Sequence, residues 1–185
     1  MQELTDYSGD FDPSIRYHDF SRDFLLKALA AYAGYIRRLD GHWYMTVKDR
    51  LSDDEAIACD RQVWVDTMEI HDVETVCKLF KINGKDVGAF FKALQMSPWM
   101  WSVRYDMELK SPNHGIWTVT RCPMLLALEE EGEGRERRIC CQNEWELFQI
   151  RAHYINPRMK VIPLKLPPRQ SPAEIHCQWE FRLEE

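Results

Sequence analysis

The sequence predicts an α+β fold, in which an N-terminal helical part is followed by a four-stranded antiparallel sheet packed on helices. Three observations on the spacing of apolar residues lead to this prediction. Up to about residue 98, apolar residues recur every three or four positions, the repeat of an amphipathic helix. Beyond that point, apolar and polar residues alternate in several stretches, as in half-buried strands. One helical stretch separates these strands into two hairpins, so we expect the order hairpin, helix, hairpin.

Composition divides the chain into three segments of one expected compact domain. Residues 1–17 form an N-terminal arm that is rich in Asp, Ser, Gly and Pro. Residues 18–98 form the helical part, and residues 99–185 form the α+β sheet part. A chain of 185 residues can bury such a core without disulfides or metals.

Capping residues predict where the helices begin and end. Ser21 is expected to cap the first helix, and Gly41 is expected to end it in the left-handed conformation. A short separate helix is expected over 42–51. Ser52 and Glu55 then have the spacing of a capping box. Further helices are predicted up to about residue 70, over 71–80 and over 85–95.

The segment MWSVRYDMELK alternates and predicts the first strand, with Trp101, Val103 and Tyr105 facing the core. The turn SPNHG joins it to a partner strand over 116–121. Pro163 cannot donate to a ladder, so its strand is expected at a sheet edge. The remaining elements are predicted as a helical turn over 124–128, a helix over 139–155, and strands over 159–166 and 174–183.

Charge and hydropathy argue against two classes of partner. The 24 basic and 30 acidic residues give a net charge of −6, so the basic surface of a nucleic-acid-binding protein is not expected. No apolar run approaches the ~20 residues of a transmembrane helix, so no membrane partner is expected. The acidic N-terminus lacks the apolar core of a signal peptide. We therefore expect a cytoplasmic protein with reduced cysteines.

Four of the six cysteines are candidates for a metal site, because they come from elements that could converge in the predicted sheet. Zinc takes thiolates, imidazoles and carboxylates in a tetrahedral set. Glu144 lies one helical turn after two of these cysteines. The predicted ligand set is Cys122, Cys140, Cys141, Glu144 and Cys177, with His153 or His176 as alternatives.

Two other roles for the same cysteines stay open. Buried cysteine often packs as a small hydrophobe, and Cys141 shares a predicted core stripe with Trp145 and Phe148. Alternatively, Cys140 and Cys141 are expected at a helix N-terminus, where the helix dipole lowers a thiol pKa and favours a nucleophile. The candidate general bases would be His114, His153 and His176.

Tryptophans suggest a ligand pocket between the helices and the sheet. The chain has seven, and an aromatic-lined pocket suits a small hydrophobic or aromatic molecule. The alternative is ordinary core packing. The predicted pocket residues are Trp101, Trp117, Trp145, His153 and Trp179.

Several stretches together resemble an uncharacterised group of prokaryotic cytosolic proteins. They are GHWYMTVKDRLSDDEAIACDRQVW, RCP, ICCQNEWE, INPRMKV and the final CQWEF. The group is similar to the L-2-amino-thiazoline-4-carboxylic acid hydrolase-like proteins. The order of elements also resembles the vinyl-reductase-type small-molecule-binding domain. The resemblance covers residues 17–184.

The resemblance implies an α+β ligand-binding fold that forms a homodimer through its helical part. It also implies a structural zinc, held here by Cys122, Cys140 or Cys141, Glu144 and Cys177. No catalytic set matches residue by residue. The main hypothesis is therefore a small-molecule-binding or sensory module with a cysteine-rich, zinc-binding site. The alternatives are a cysteine-dependent hydrolase of C–N or thiazoline-type bonds, and a structural or oligomerisation protein without a site.

Overall fold

A computed structural model describes residues 3–183 and has the predicted α+β architecture. The α-helices described are α1 (Arg22–Arg50), α2 (Asp53–Thr67), α3 (Thr75–Phe80), α4 (Val87–Met96), α5 (Pro123–Glu131), α6 (Glu136–Arg138) and α7 (Glu144–Ile155). Two π-helical segments, Met68–Glu74 and Ile139–Asn143, join α2 to α3 and α6 to α7. Short 3-10 helices cover Tyr17–Asp19 and Pro98–Ser102. The strands are β1 (Arg104–Ser111), β2 (His114–Arg121), β3 (Met159–Lys165) and β4 (Cys177–Leu183).

The first helix is longer than predicted. Ser21 caps it as expected, because its Oγ accepts a hydrogen bond from the Phe24 N–H at 3.3 Å. The predicted end at Gly41 is wrong, since α1 continues through this glycine, whose φ is not positive, to Arg50. Packing explains the continuation: the next turn buries Tyr44, whose hydroxyl donates to Asp53 Oδ1 at 2.8 Å. A predicted short helix over 42–51 is therefore part of α1.

The four strands form one antiparallel sheet in the order β1-β2-β4-β3. Pro163 lies in β3 at the sheet edge, as predicted. The register places Trp117 of β2 opposite Trp179 of β4. The first strand starts later than predicted, because the residues from Pro98 to Ser102 close a 3-10 turn in which the Met100 N–H donates to the Ser97 carbonyl at 3.0 Å.

Helices α4 and α7 pack on one face of the sheet and form the main core with it. Phe148 of α7 lies 5.0 Å from Trp179, centroid to centroid, and Phe90 of α4 lies 4.4 Å from Phe181. Gly115 in β2 allows α4 to approach closely, because a Cβ there would lie 2.7 Å from the Phe91 ring. A smaller second core joins α1 and α2 to α5 and the Ile139–Asn143 segment.

None of the helices in residues 3–183 is both long enough and apolar enough to cross a membrane.

Candidate functional site

A cavity of about 70 Å³ lies between the sheet and the helices. Three cysteines and one glutamate contribute to its wall, and we call it the thiol cavity. These residues are Cys122, Cys140, Glu144 and Cys177. Apolar side chains, among them Trp117, Phe148 and Trp179, form most of the remaining wall.

Sheet pairing brings two of the thiols together. Cys177 begins β4 and pairs with Val119 of β2, and Cys122 follows β2 directly. His176 fastens the two segments, because its N–H donates to the Val119 carbonyl at 2.8 Å and its Nδ1 accepts from the Cys122 N–H at 3.0 Å. The two cysteines therefore reach the cavity from neighbouring strand ends.

The π-helical segment supplies the third thiol. Cys140 lies in this segment, and Glu144 follows at the start of α7, so both side chains face the cavity. Cys141 does not line the cavity, and its thiol donates instead to the carbonyl oxygen of Pro167 at 3.6 Å. The adjacent cysteines thus point in different directions, and Cys140 is the one that joins the predicted set.

Burial raises the pKa of all three cavity thiols. The pKa of Cys177 rises to about 12, and that of Cys140 is raised well above its ordinary value by burial and then by the charge of Glu144. Burial is also the main cause of the raised pKa of Cys122. The three side chains are therefore protonated thiols at neutral pH.

The prediction of a lowered thiol pKa at a helix N-terminus is wrong for this pair. Cys140 and Cys141 lie inside a continuous helical run that starts at Glu136, so the helix end is not at their position. Burial raises the pKa of Cys141 as well, followed by the charge of Glu136.

Among the titratable groups that line the cavity, Glu144 has the pKa closest to neutral pH. Burial raises its pKa to about 7, while the positive charge of Arg151 acts in the opposite direction. Arg151 is itself held in an ion pair with Asp72 and donates to Ser97 Oγ at 3.3 Å. Glu144 can therefore gain or lose a proton at neutral pH without breaking that ion pair.

Two buried indole N–H groups lie on the cavity wall, since Trp117 and Trp179 are 5% and 1% exposed. The Trp117 N–H has no partner among the described residues, whereas the Trp179 N–H interacts with the Cys177 thiol and opposes the larger effect of burial on the pKa of that thiol. An unpaired buried donor costs about 1–3 kcal/mol. A ligand that accepts hydrogen bonds would remove this penalty.

The structure places the predicted pocket residues in different environments. Trp117 and Trp179 line the thiol cavity. Trp101 is 51% exposed in the Pro98–Ser102 turn, and His153 is exposed on α7. Trp145 is 43% exposed, and its Nε1 donates to the Val161 carbonyl at 3.2 Å. Trp145 and His153 lie away from the cavity because α7 directs a different face, with Glu144, Phe148 and Arg151, towards it.

Two polar residues of the wall were not in the predicted site. Arg151 follows Glu144 by seven residues, which places both on one helix face, so the spacing could have revealed it. His176 appeared only as an alternative ligand and as a candidate general base, and its contact with Cys122 depends on strand pairing.

The residues do not form a ready metal site. Among residues 3–183, no group of three or more His, Cys, Asp or Glu side chains is arranged to hold a metal ion. The thiols share a wall without forming a coordination sphere.

A family model described as a family of unknown function, DUF6125, matches residues 18–183 of the chain. No curated protein and no solved structure matches the chain.

Proposed function

The chain belongs to the family of unknown function DUF6125, and we propose that it is a small-molecule-binding module whose ligand occupies the thiol cavity. One observation carries the proposal: three thiols, a titratable carboxyl and the unpaired indole N–H of Trp117 border one cavity. Apolar pockets with a few convergent polar groups are the usual form of small-molecule sites. Because the thiols are protonated, we infer binding or sensing rather than thiolate chemistry.

The size of the cavity limits the ligand. At about 70 Å³ it is smaller than the ~150 Å³ of a cavity that accepts benzene. Met100 and Met124 lie in its wall, and methionine adapts readily to a neighbour. A ring of five or six atoms would fit after these side chains move. The unpaired N–H of Trp117 favours a ring that carries an acceptor atom, so the ligand class is a small heteroaromatic molecule.

Thermal unfolding in the presence of thiazole, imidazole or pyridine tests the proposal. We expect at least one of these probes to raise the Tm, because a ligand that binds only the folded state stabilises it. The variant Cys140→Leu, which fills the cavity, should lose the effect. Cys59→Leu on α2 lies outside the cavity wall and should keep it. Failure of all three probes, or an equal response of the two variants, would contradict the proposal.

Zinc is the second candidate ligand, and the donor set favours it. Three thiols and a carboxyl on one wall have the chemistry that Zn²⁺ prefers. As placed, however, these side chains do not form a site, so binding would require them to turn and release protons. Elemental analysis of purified protein would give about one zinc per chain on this proposal, and a folded chain without zinc would exclude it.

A cysteine-dependent hydrolase remains a prediction of the resemblance. It requires one thiol that forms a thiolate near neutral pH. The raised pKa of each cavity thiol argues against it.

The cysteines within residues 3–183 are all free, as a cytoplasmic location would require, and we propose that location for the protein.

We also propose that the protein is a homodimer that pairs through α1. Five apolar residues on this helix alternate at spacings of three and four, and each is 38–54% exposed: Leu29, Tyr32, Ile36, Leu39 and Trp43. That spacing is the repeat of a coiled-coil seam, which pairs best with another such stripe. A second copy of α1 supplies one by symmetry.

A further inference from the structure

A second cavity shares Met124 with the thiol cavity and is larger, with a volume of about 420 Å³. That volume falls within the roughly 300–1,000 Å³ of ordinary small-molecule pockets. Its walls come from α1, α2, α5 and the segment that follows α5, and we call it the α1 cavity. The proposed ligand of the thiol cavity makes no use of it.

Two arginines of this cavity have charges that the protein leaves uncompensated. Arg37 and Arg38 of α1 line it, and neither forms an ion pair with any residue between 3 and 183. The Nε of Arg37 is buried and also has no hydrogen-bond partner there. By contrast, the third arginine of the wall, Arg135, is paired with Glu131 and lies 4.6 Å from the Tyr44 ring. The first two guanidinium groups are therefore free to bind an anion.

Two carboxyl groups of the cavity are likewise without a cationic partner in the described part of the chain. Asp40 accepts a hydrogen bond from Trp64 Nε1 at 3.1 Å, and Asp60 is 8% exposed. Burial raises the pKa of Asp60 to about 6, and the charge of Asp40 adds to this effect. With this pKa Asp60 is largely ionised at neutral pH, and the charge of Asp40 repels it. A cation between them would relieve this repulsion.

The charges of opposite sign lie close together on α1. Arg37 and Asp40 are three residues apart, so their Cβ atoms are about 5–6 Å from each other on one helix face. They nevertheless do not pair directly. The wall also carries apolar side chains, among them Leu128 and Ile139. The cavity thus offers an anion site, an adjacent cation site and an apolar surface.

We propose that the α1 cavity binds a zwitterionic ligand of the amino-acid class with an apolar side chain. Its carboxylate would contact Arg37 and Arg38, its ammonium group would contact Asp40 and Asp60, and its side chain would pack on Leu128 and Ile139. An ammonium and a carboxylate on one carbon atom match charges that sit one helical turn apart. Such a ligand satisfies all four side chains at once, whereas a simple anion or cation satisfies only two.

Titration calorimetry with matched probes tests the proposal on the wild-type protein. We expect L-leucine or L-phenylalanine to bind. For whichever binds, the analogue without its ammonium group (4-methylpentanoate or 3-phenylpropanoate) and the analogue without its carboxylate (isopentylamine or 2-phenylethylamine) should bind at least about tenfold more weakly, because each loses charge-assisted hydrogen bonds. Absence of binding by both amino acids would overturn the proposal. Equal binding of an analogue and its parent would do the same.

Two variants test which side chains bind the carboxylate and the ammonium group of the ligand. Arg37→Gln should weaken binding of the amino acid but not of the amine, and Asp40→Asn should weaken binding of the amino acid but not of the carboxylate analogue. Arg50→Gln and Asp49→Asn alter exposed charges of α1 outside the cavity and should change neither. If a cavity variant does not fold, the comparison of probes on the wild-type protein still tests whether the cavity binds a zwitterion. Cys177→Leu, at a residue of the thiol cavity that packs on the main core, should leave amino-acid binding intact, so failure of this proposal is distinguishable from failure at the thiol cavity.

Discussion

His176 accepts a hydrogen bond from the backbone N–H of Cys122 through Nδ1, at 3.0 Å. This contact joins the start of β4 to the end of β2, and it requires that Nδ1 carries no proton. Burial lowers the pKa of His176, followed by the positive charge of Arg169. The wall of the thiol cavity therefore depends on a neutral imidazole.

The first prediction concerns pH. Below about 6.5, the ordinary pKa of histidine, the unfolded chain binds a proton that the folded chain does not, so His176 should lower stability as the pH falls. Urea unfolding of the wild type and His176→Gln at pH 7.5 and 5.5 measures the effect. The glutamine side chain keeps an acceptor and has no proton to gain in this range. We expect the wild type to lose more stability than the variant, and an equal loss would contradict the assignment.

The second prediction concerns Glu144, whose shift has the opposite sign. Its pKa of about 7 lies above that of an unfolded glutamate, so the folded chain holds the extra proton and its contribution improves as the pH falls from 7 towards 4.5. Glu144→Gln should therefore stabilise the protein at pH 8 by on the order of 1–3 kcal/mol and have little effect at pH 5. Glu108→Gln, on an exposed position of β1, is the control. A variant that destabilises equally at both pH values would speak against a buried carboxylate.

The third prediction concerns thiol reactivity. With a pKa of about 12, Cys177 should hold about three orders of magnitude less thiolate than an ordinary cysteine. Alkylation by iodoacetamide at pH 7.5, followed by peptide mass spectrometry, should label Cys122, Cys140 and Cys177 at least tenfold more slowly in the native protein than in urea, by the same reasoning. Rapid labelling of one of them would instead support the hydrolase hypothesis.

The fourth prediction compares two glycines. A Cβ at Gly115 would lie 2.7 Å from the Phe91 ring and 3.0 Å from Val87, so Gly115→Ala should cost about 1–3 kcal/mol. Gly41 lies inside α1 with nothing within 4 Å of its Cβ position, so Gly41→Ala should stabilise by roughly 0.5–1 kcal/mol. Chemical unfolding of both variants measures the change in the free energy of unfolding, which should be a loss for Gly115→Ala and a gain for Gly41→Ala. A loss of stability in Gly41→Ala would show that α1 is not continuous there.

The fifth prediction tests the pairing of α1. Ile36→Glu and Leu39→Glu place charges in the exposed apolar stripe and should convert a dimer into a monomer, as measured by light scattering during size-exclusion chromatography. Lys27→Glu changes the charge of the same helix at an exposed position off the stripe and should leave the mass unchanged. A wild-type protein that stays monomeric at its highest soluble concentration would rule out the pairing.

Periodicity predicted the fold class well, since strand alternation and helix repeats report directly on which face is buried. It misplaced the end of α1 because Gly41 has the right residue type for a cap, and only the packing of Tyr44 shows that the helix goes on. It placed Trp101 in a strand because the alternation of the strand residues extends back to this position in the sequence, although the 3-10 turn there repeats every three residues.

The predicted order of elements indicated that the cysteines could converge, and Cys122, Cys140, Glu144 and Cys177 line one cavity. Their protonation could not be predicted in this way, because a raised pKa depends on how completely the surrounding helices exclude water. The separation of Cys140 from Cys141 also required the structure, since a π-helical turn changes the angle between successive side chains.

That π-helical turn makes the thiol cavity sensitive to the length of the chain as well as to its chemistry. Residues Ile139–Asn143 contain one wide turn, and loss of a single residue there would restore an ordinary helix. Cys140 would then rotate by about 100° relative to α7, away from Glu144. One in-frame codon deletion could thus remove a thiol from the cavity while leaving every cysteine in the protein.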